Sequence, residues 1–273
     1  MKRFEGILMC TDLDGTLLRG DKTISSENIE AIEYFKSEGG LFTFITGRMP
    51  YYVADMYNKI NPNCPFGCVN GSGIYDHRKR EYAWTLPLDK EAMSLVAYID
   101  SEIPEMGIQV STFDKTYFCK DNSAMLKFKR QTGLPDLRRH YDDIPCSVAK
   151  VVFADDSEDN ILLLDKLLKS HPLADKFGFI RSDKFLYEIL PGGVSKGSLL
   201  AKMAELLDID MKRTVALGDY NNDVEMLRRA GVGVAVANAC PEALLAADVV
   251  TVSNEEHAIA RIISDIDCGK LKV

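Results

Sequence analysis

The chain has 273 residues, 46% of them hydrophobic and 27% charged, with a formal net charge of −8. That composition suits a globular protein of one large domain or two smaller ones, and an acidic balance without any basic block argues against a nucleic-acid surface. No apolar run reaches membrane-spanning length, residues 1–6 lack the features of a secretory leader, and the seven cysteines show no framework spacing, so a cytoplasmic protein with reduced thiols and no membrane partner is expected.

Residues 7–11 form a short apolar run of the kind that becomes a buried strand. It ends in Asp12-Leu13-Asp14-Gly15-Thr16. Residues two apart in an extended chain point the same way, so Asp12 and Asp14 are expected to face one pocket while Gly15 turns the chain away. Like charges this close call for a metal ion or a shared proton; the plain alternative is a solvated acidic turn. A helix follows, with Ser25 as N-cap, Ile24 and Ile29 as a hydrophobic staple and Gly39-Gly40 as terminator. Residues 41–45 read as a second buried strand ending in Thr46-Gly47-Arg48, 52–59 as a helix, and 66–69 as a third strand running into Asn70-Gly71-Ser72-Gly73. Strand, helix, strand, helix, strand is the pattern of a doubly wound parallel sheet, in which ligands bind beyond the carboxyl ends of the strands. Asp12, Thr46 and Asn70 all fall there.

The pattern changes near Tyr82. A helix over 89–103, strands over 107–113 and 116–119 joined at Asp114-Lys115, and a helix over 123–132 come first. A polar linker, a strand over 149–154, a helix over 159–170 and strands over 177–181 and 185–190 around Ser182-Asp183-Lys184 follow. Hairpins mixed with helices predict a separate α+β unit inserted into the first domain. The expected division is 1–82 with 189–273 as a Rossmann-like α/β core and 83–188 as the inserted unit.

The α/β pattern then resumes. Ser195 is a natural N-cap, and Lys196 in the first helical turn makes electrostatic sense beside an anion; taken alone, it reads better as a solvated lysine. Residues 214–218 read as a strand ending in Asp219-Tyr220-Asn221-Asn222-Asp223, followed by a helix over 224–230 capped by Gly231. Strands over 232–236 and 249–252 flank a helix that begins near Pro241, and a final helix spans 256–266. Four carboxylates, Asp12, Asp14, Asp219 and Asp223, thus meet Thr46, Asn222 and Lys196 at one end of the sheet. Carboxylate oxygens without histidine or cysteine suit Mg²⁺. Thr46, Lys196 and backbone N–H groups near Leu13 suit phosphate. One aspartate can act as nucleophile and the other as acid/base. Cys64 and Cys68 are the closest cysteine pair, but nothing completes a zinc site around them, and His77, His140, His171 and His257 read as surface or core fillers.

Asp12-Leu13-Asp14-Gly15-Thr16, Thr46-Gly47-Arg48, Lys196 within Gly-Val-Ser-Lys-Gly, and Gly218-Asp219-x-x-Asn222-Asp223 resemble, in order and over nearly the whole chain, the four motifs of the haloacid dehalogenase (HAD) superfamily. The insertion resembles a C2-type cap, and the Asn70-Gly71-Ser72 turn and the segment 233–239 resemble the Cof-type subfamily. The resemblance implies a Mg²⁺-dependent phosphatase of small phosphorylated metabolites, such as sugar phosphates, nucleotides or phosphorylated cofactors. It implies Asp12 as nucleophile and metal ligand, and Asp14 as acid/base that lends its carbonyl to the metal. Thr46, Gly47, Asn222 and Leu13 would bind the phosphoryl group. Lys196 would steady nucleophile and phosphate, and Asp219 and Asp223 would hold the metal. Thr16, Arg48 and Asn70 would shape the loops. A sugar phosphomutase or phosphotransferase on the same scaffold, and a non-enzymatic phospho-ligand sensor, are the competing readings. A monomer is compatible with all three.

Overall fold

The computed structural model describes residues 2–144 and 147–273; Cys146 and Met1, read above with the cysteines and the leader, lie outside them. In chain order the elements are β1 (Leu8–Thr11), α1 (Ser26–Ser37), β2 (Leu41–Phe44), α2 (Ala54–Ile60), β3 (Phe66–Cys68), β4 (Gly73–Asp76) and β5 (Glu81–Thr85). Then come α3 (Ala92–Glu102), β6 (Gly107–Thr112), β7 (Thr116–Lys120), α4 (Ser123–Thr132), β8 (Val148–Ala154), α5 (Glu158–Ser170), β9 (Phe177–Asp183) and β10 (Leu186–Pro191). The chain closes with α6 (Lys196–Leu206), β11 (Thr214–Gly218), α7 (Val224–Arg229), β12 (Val232–Ala235), α8 (Pro241–Ala246), β13 (Val249–Val250) and α9 (Ala258–Asp267). Two compact units result, one running through Thr85 and resuming over Ser195–Val273, the other Leu86–Val194.

The first unit holds a parallel five-stranded sheet of order β13-β12-β11-β1-β2. β1 lies inside the sheet, between β11 and β2, and all four of its residues are buried. Leu8 and Cys10 pack with Leu199, Leu200, Met203 and Met226 of α6 and α7. Met9 and Thr11, on the opposite face, are also shielded from solvent. The run has no polar alternation because both faces are covered. Ser25 caps α1 by accepting from the Asn28 N–H at 3.2 Å. The helix ends where Gly39 takes a positive φ of 91° and Gly40 N–H bonds the Phe35 carbonyl.

Three local expectations are corrected. The strand near 66–69 is not a full member of the parallel sheet: a single parallel Ile45–Gly67 bridge and a Phe44–Phe66 ring stack set it beside β2, and its ladder belongs to an antiparallel sheet β3-β4-β5. Its hairpin partner is β4, which in turn pairs with β5, where Tyr82 and Trp84 alternate with exposed Glu81 and Ala83. Gly231 is not a left-handed cap; a Cβ there would lie 2.3 Å from the Lys212 carbonyl oxygen, so backbone proximity demands the glycine. The last helix starts at Ala258 because Ser253 and Glu256 close a tight turn and His257, at φ 63°, breaks the helical path.

The second unit is an antiparallel sheet, β7-β6-β8-β10-β9. Ile108, Val110, Val151, Phe153, Tyr187 and Ile189 pack with residues of α3 and α5. Phe118, Val152, Ala154 and Leu186 pack with Ala124 and Met125 of α4. Lys150 and Glu188 form a buried ion pair at 3.0 Å.

Candidate active site

The register of the parallel sheet sets the site. Thr11 is level with Leu217 of β11 and Phe44 of β2. The residues just beyond that edge are therefore Asp12, Asp219 and Thr46, drawn from three neighbouring strands. Asp12 continues the ladder by donating its N–H to the Leu217 carbonyl at 2.9 Å. Gly15 turns the chain at φ 81°, and a Cβ there would sit 2.4 Å from an Asp219 carboxylate oxygen. Only glycine allows both the turn and the approach.

Lys196 is the first residue of α6, behind a reciprocal cap in which Ser195 Oγ accepts from the Ser198 N–H and Ser198 Oγ from the Ser195 N–H, both at 2.9 Å. Its Nζ reaches Asp12 Oδ1 and Asp223 Oδ1, each at 2.6 Å, and the side chain is 1% exposed. The other Asp223 oxygen accepts from the Asp219 and Tyr220 N–H groups at 3.0 and 3.1 Å, fixing the turn after β11. Thr16 Oγ1 donates to Asp219 at 2.6 Å. Asp12, Asp219 and Asp223 each bring a carboxylate oxygen within 4.8 Å of the others.

These groups do not balance one another. Three carboxylates share one ammonium, leaving two negative charges in a site screened from water. Burial, then Asp223 and Asp219, push Asp12 well above the carboxylate range, against the pull of Lys196. Burial and the Asp223 charge push Asp219 up to about 7. Burial disfavours the Lys196 ammonium, but Asp12 and Asp223 outweigh it and raise its pKa. The donor set is all hard oxygen and its excess charge equals that of one divalent cation, so the residues fit such an ion.

Asp14 stands apart from that trio. Its carboxylate receives Arg48 Nε at 2.9 Å and Nη2 at 2.7 Å, and Lys22 Nζ at 2.8 Å. Burial pulls its pKa up, yet the Arg48 charge and these hydrogen bonds hold it below the ordinary range. Thr46 is buried and its Oγ1 accepts from the Arg48 N–H at 3.2 Å. Asn222 Nδ2 donates to Asn70 Oδ1 at 3.1 Å. Asn70 sits in a turn where Val69 and Asn70 both take positive φ, 56° and 51°. A β-branched residue there costs on the order of 1–3 kcal/mol. That turn presents the Asn70 amide against Gly47, whose Cβ would meet it at 2.9 Å. Leu13 is fully buried, and its carbonyl accepts from the Leu18 N–H at 2.8 Å.

Several contributors had no sequence role. Asn238 Nδ2 donates to the Gly15 carbonyl and Asn254 Nδ2 to the Leu18 carbonyl, both at 2.8 Å, so two late loops brace the loop after β1. Asn238 lay in a segment noted only as family-like. Lys22 carried no signal, being one polar loop residue among several.

Residues 9–263 match the sequence model of the haloacid dehalogenase-like hydrolases. YxeH of Bacillus subtilis (strain 168) is 31% identical over 275 residues, covering 96% of this chain and 99% of its own. The 5-amino-6-(5-phospho-D-ribitylamino)uracil phosphatase YwtE of the same organism is 31% identical over 288 residues, covering 95% and 97%. Among solved structures, a haloacid dehalogenase-like hydrolase from Bacteroides thetaiotaomicron superposes with a TM-score of 0.82 at 25% identity, over 95% of this chain and 99% of that one.

Proposed function

The chain belongs to the haloacid dehalogenase-like hydrolase family and hydrolyses phosphate monoesters, and from that premise we propose that it is a Mg²⁺-dependent phosphatase working through an aspartyl-phosphate on Asp12. The observation that carries this reading is the Lys196 ammonium, 2.6 Å from both Asp12 and Asp223, with Asp219 completing a buried trio. Asp12, Asp219 and Asp223 would hold the ion together with the Asp14 carbonyl; when bound, Mg²⁺ neutralises charge on the transferring phosphoryl group. Lys196 fixes Asp12 Oδ1, which leaves Oδ2 as the attacking atom. Thr46, Asn222 and the N–H groups around Leu13 and Gly47 would hold the phosphoryl oxygens. Asp14 would protonate the leaving oxygen and then take a proton from the hydrolytic water. For that it must exchange its bonds to Arg48 and Lys22.

The substrate class is a small phosphorylated metabolite. The ribityl phosphate in YwtE's name makes polyol phosphates an early choice for a test panel. We read residues 83–188 as a C2-type cap that sets specificity, with the turns near Asp114-Lys115 and 182–184 as its contacts. Half of the six described cysteines are buried and none of the six is in a disulfide, which fits a cytoplasmic setting. The test is stoichiometric phosphate release from a panel of phosphomonoesters, in Mg²⁺ and in EDTA. Release in Mg²⁺ alone is expected. Transfer of phosphate to a second organic hydroxyl without release would mean a phosphotransferase or mutase instead.

Asp14→Asn is expected to lower kcat by about 10²–10⁴-fold for alkyl phosphates and much less for an aryl phosphate whose leaving group needs no proton. Equal losses on both would overturn the acid role.

A second prediction concerns pH. Asp219 is pushed up to about 7 in the folded chain, against about 4 when unfolded. The folded state therefore holds that proton more tightly. The resulting stabilisation is complete below about pH 4 and is lost as pH rises through about 7. Asp12 shifts in the same direction; Asp14 shifts oppositely, but its effect falls at lower pH. A divalent cation held by Asp12, Asp219 and Asp223 would favour their ionised forms and so compete with that proton. In EDTA, Tm should fall between pH 5.5 and 8, and millimolar Mg²⁺ should raise it more at pH 8 than at 5.5. Equal shifts at both pH values would exclude this carboxylate site.

A further inference from the structure

Two cations share one carboxylate on the solvent side of the site. The Lys22 side chain is 58% exposed and its Nζ spends a single hydrogen bond on Asp14. Arg48 is 23% exposed and uses Nε and Nη2, leaving its Nη1 without a protein acceptor among the described residues. The Arg48 guanidinium also lies 5.3 Å from the centroid of the Tyr52 ring, so it is held from a second side. All four side chains belong to the first compact unit. This positive surplus stands out in a chain of net charge −8. It also lies apart from the buried trio, whose only ammonium, Lys196, is out of solvent's reach.

We propose that Lys22 and Arg48 are specificity-determining residues that bind a second anionic group on the substrate, a carboxylate or phosphate other than the phosphoryl group transferred. This deepens the phosphatase reading and rests on it. The preferred substrate is then a small phosphate monoester with a further negative charge. The Arg48 fork matches the two oxygens of such a group, and Lys22 adds a mobile point charge. Such an anion replaces the bonds these cations give up when Asp14 turns to the leaving oxygen. A substrate with a neutral remainder offers only water in exchange.

The test compares kcat/KM within matched pairs, using the full chain in Mg²⁺. Glycerol 3-phosphate against 3-phosphoglycerate asks about a carboxylate, and fructose 6-phosphate against fructose 1,6-bisphosphate about a phosphate. The anionic member of at least one pair should be favoured by about tenfold or more, mainly through KM, with the preference shrinking as salt rises from 0.05 to about 0.5 M. Lys22→Gln should cut the anionic-to-neutral ratio several-fold, and Lys22→Arg should restore it. A neutral member hydrolysed as well as its anionic partner in both pairs overturns the proposal while leaving the phosphatase reading intact, as does a ratio unmoved by Lys22→Gln. Absence of phosphate release from every compound overturns both.

Discussion

Asp12→Asn should abolish turnover, lowering kcat by at least about 10⁴-fold, without unfolding the protein. The substitution exchanges the attacking oxygen for an amide that is no nucleophile at neutral pH. It leaves an oxygen that can still accept from Lys196, now 2.6 Å from Asp12 Oδ1. It also removes one of three carboxylates crowded around a single ammonium. Repulsion therefore falls, and Tm in EDTA should match or exceed the wild-type value. Activity within tenfold of wild type would sink the nucleophile assignment. A collapse in Tm would instead mean that Asp12 is held chiefly for structure. Mild quenching in acid after mixing with substrate should trap phosphate on the wild-type chain and none on the variant.

Lys196→Met should fail on both counts. The side chain is 1% exposed and bonded to two buried carboxylates. Methionine fills similar volume but leaves Asp12 and Asp223 without their cation. Removing one partner of a buried ion pair typically costs about 3–5 kcal/mol, which in a chain of this size is a Tm loss on the order of 10 °C. The deficit should be largest near pH 8 in EDTA and smaller at pH 5.5, where the carboxylates take up protons and need the ammonium less. Mg²⁺ should recover part of the stability. It should not recover catalysis, for which a loss of about 10²–10³-fold is expected from the missing charge on the transferring group. A variant as stable as wild type at pH 8 would show that the trio is protonated anyway and that Lys196 contributes little.

Much of the site was legible before any coordinates, because the residues that build it sit at strand ends. A buried run followed by aspartates is visible at 7–14 and again at 214–223, and parallel pairing brings those ends level without further information. Ser195 as a cap placed Lys196 at the start of its helix, which the structure repeats. What escaped is what only three-dimensional pairing decides. Nothing in 66–69 distinguishes a strand added to the parallel sheet from one that starts a hairpin, since both are short and apolar. The partner of the Asp14 carboxylate was equally hidden. Two aspartates at i and i+2 suggest a shared ion, yet here the second turns to Arg48 and Lys22. Lys22 lies eight residues away in a loop whose conformation no local pattern sets. Val69, a valine at positive φ, defies propensity altogether and is tolerated only because the surrounding turn is pinned.

The place of β1 between β2 and β11 also governs when the site can exist in a living cell. β1 leaves the ribosome well before the strand that must lie along one of its sides, β11, which starts only at Thr214. Lys196 follows Asp12 by 184 residues. At translation rates of about 5–20 residues per second, that gap lasts roughly 10–40 s. In the meantime the intervening unit, whose sheet is closed within Leu86–Val194, has all of its partners at hand and can fold. The carboxylate centre is thus completed only after the whole of the intervening unit has been synthesised. The half-built parallel sheet, with an apolar β1 edge waiting for β11, is the stage at which chaperone binding or aggregation should compete most strongly.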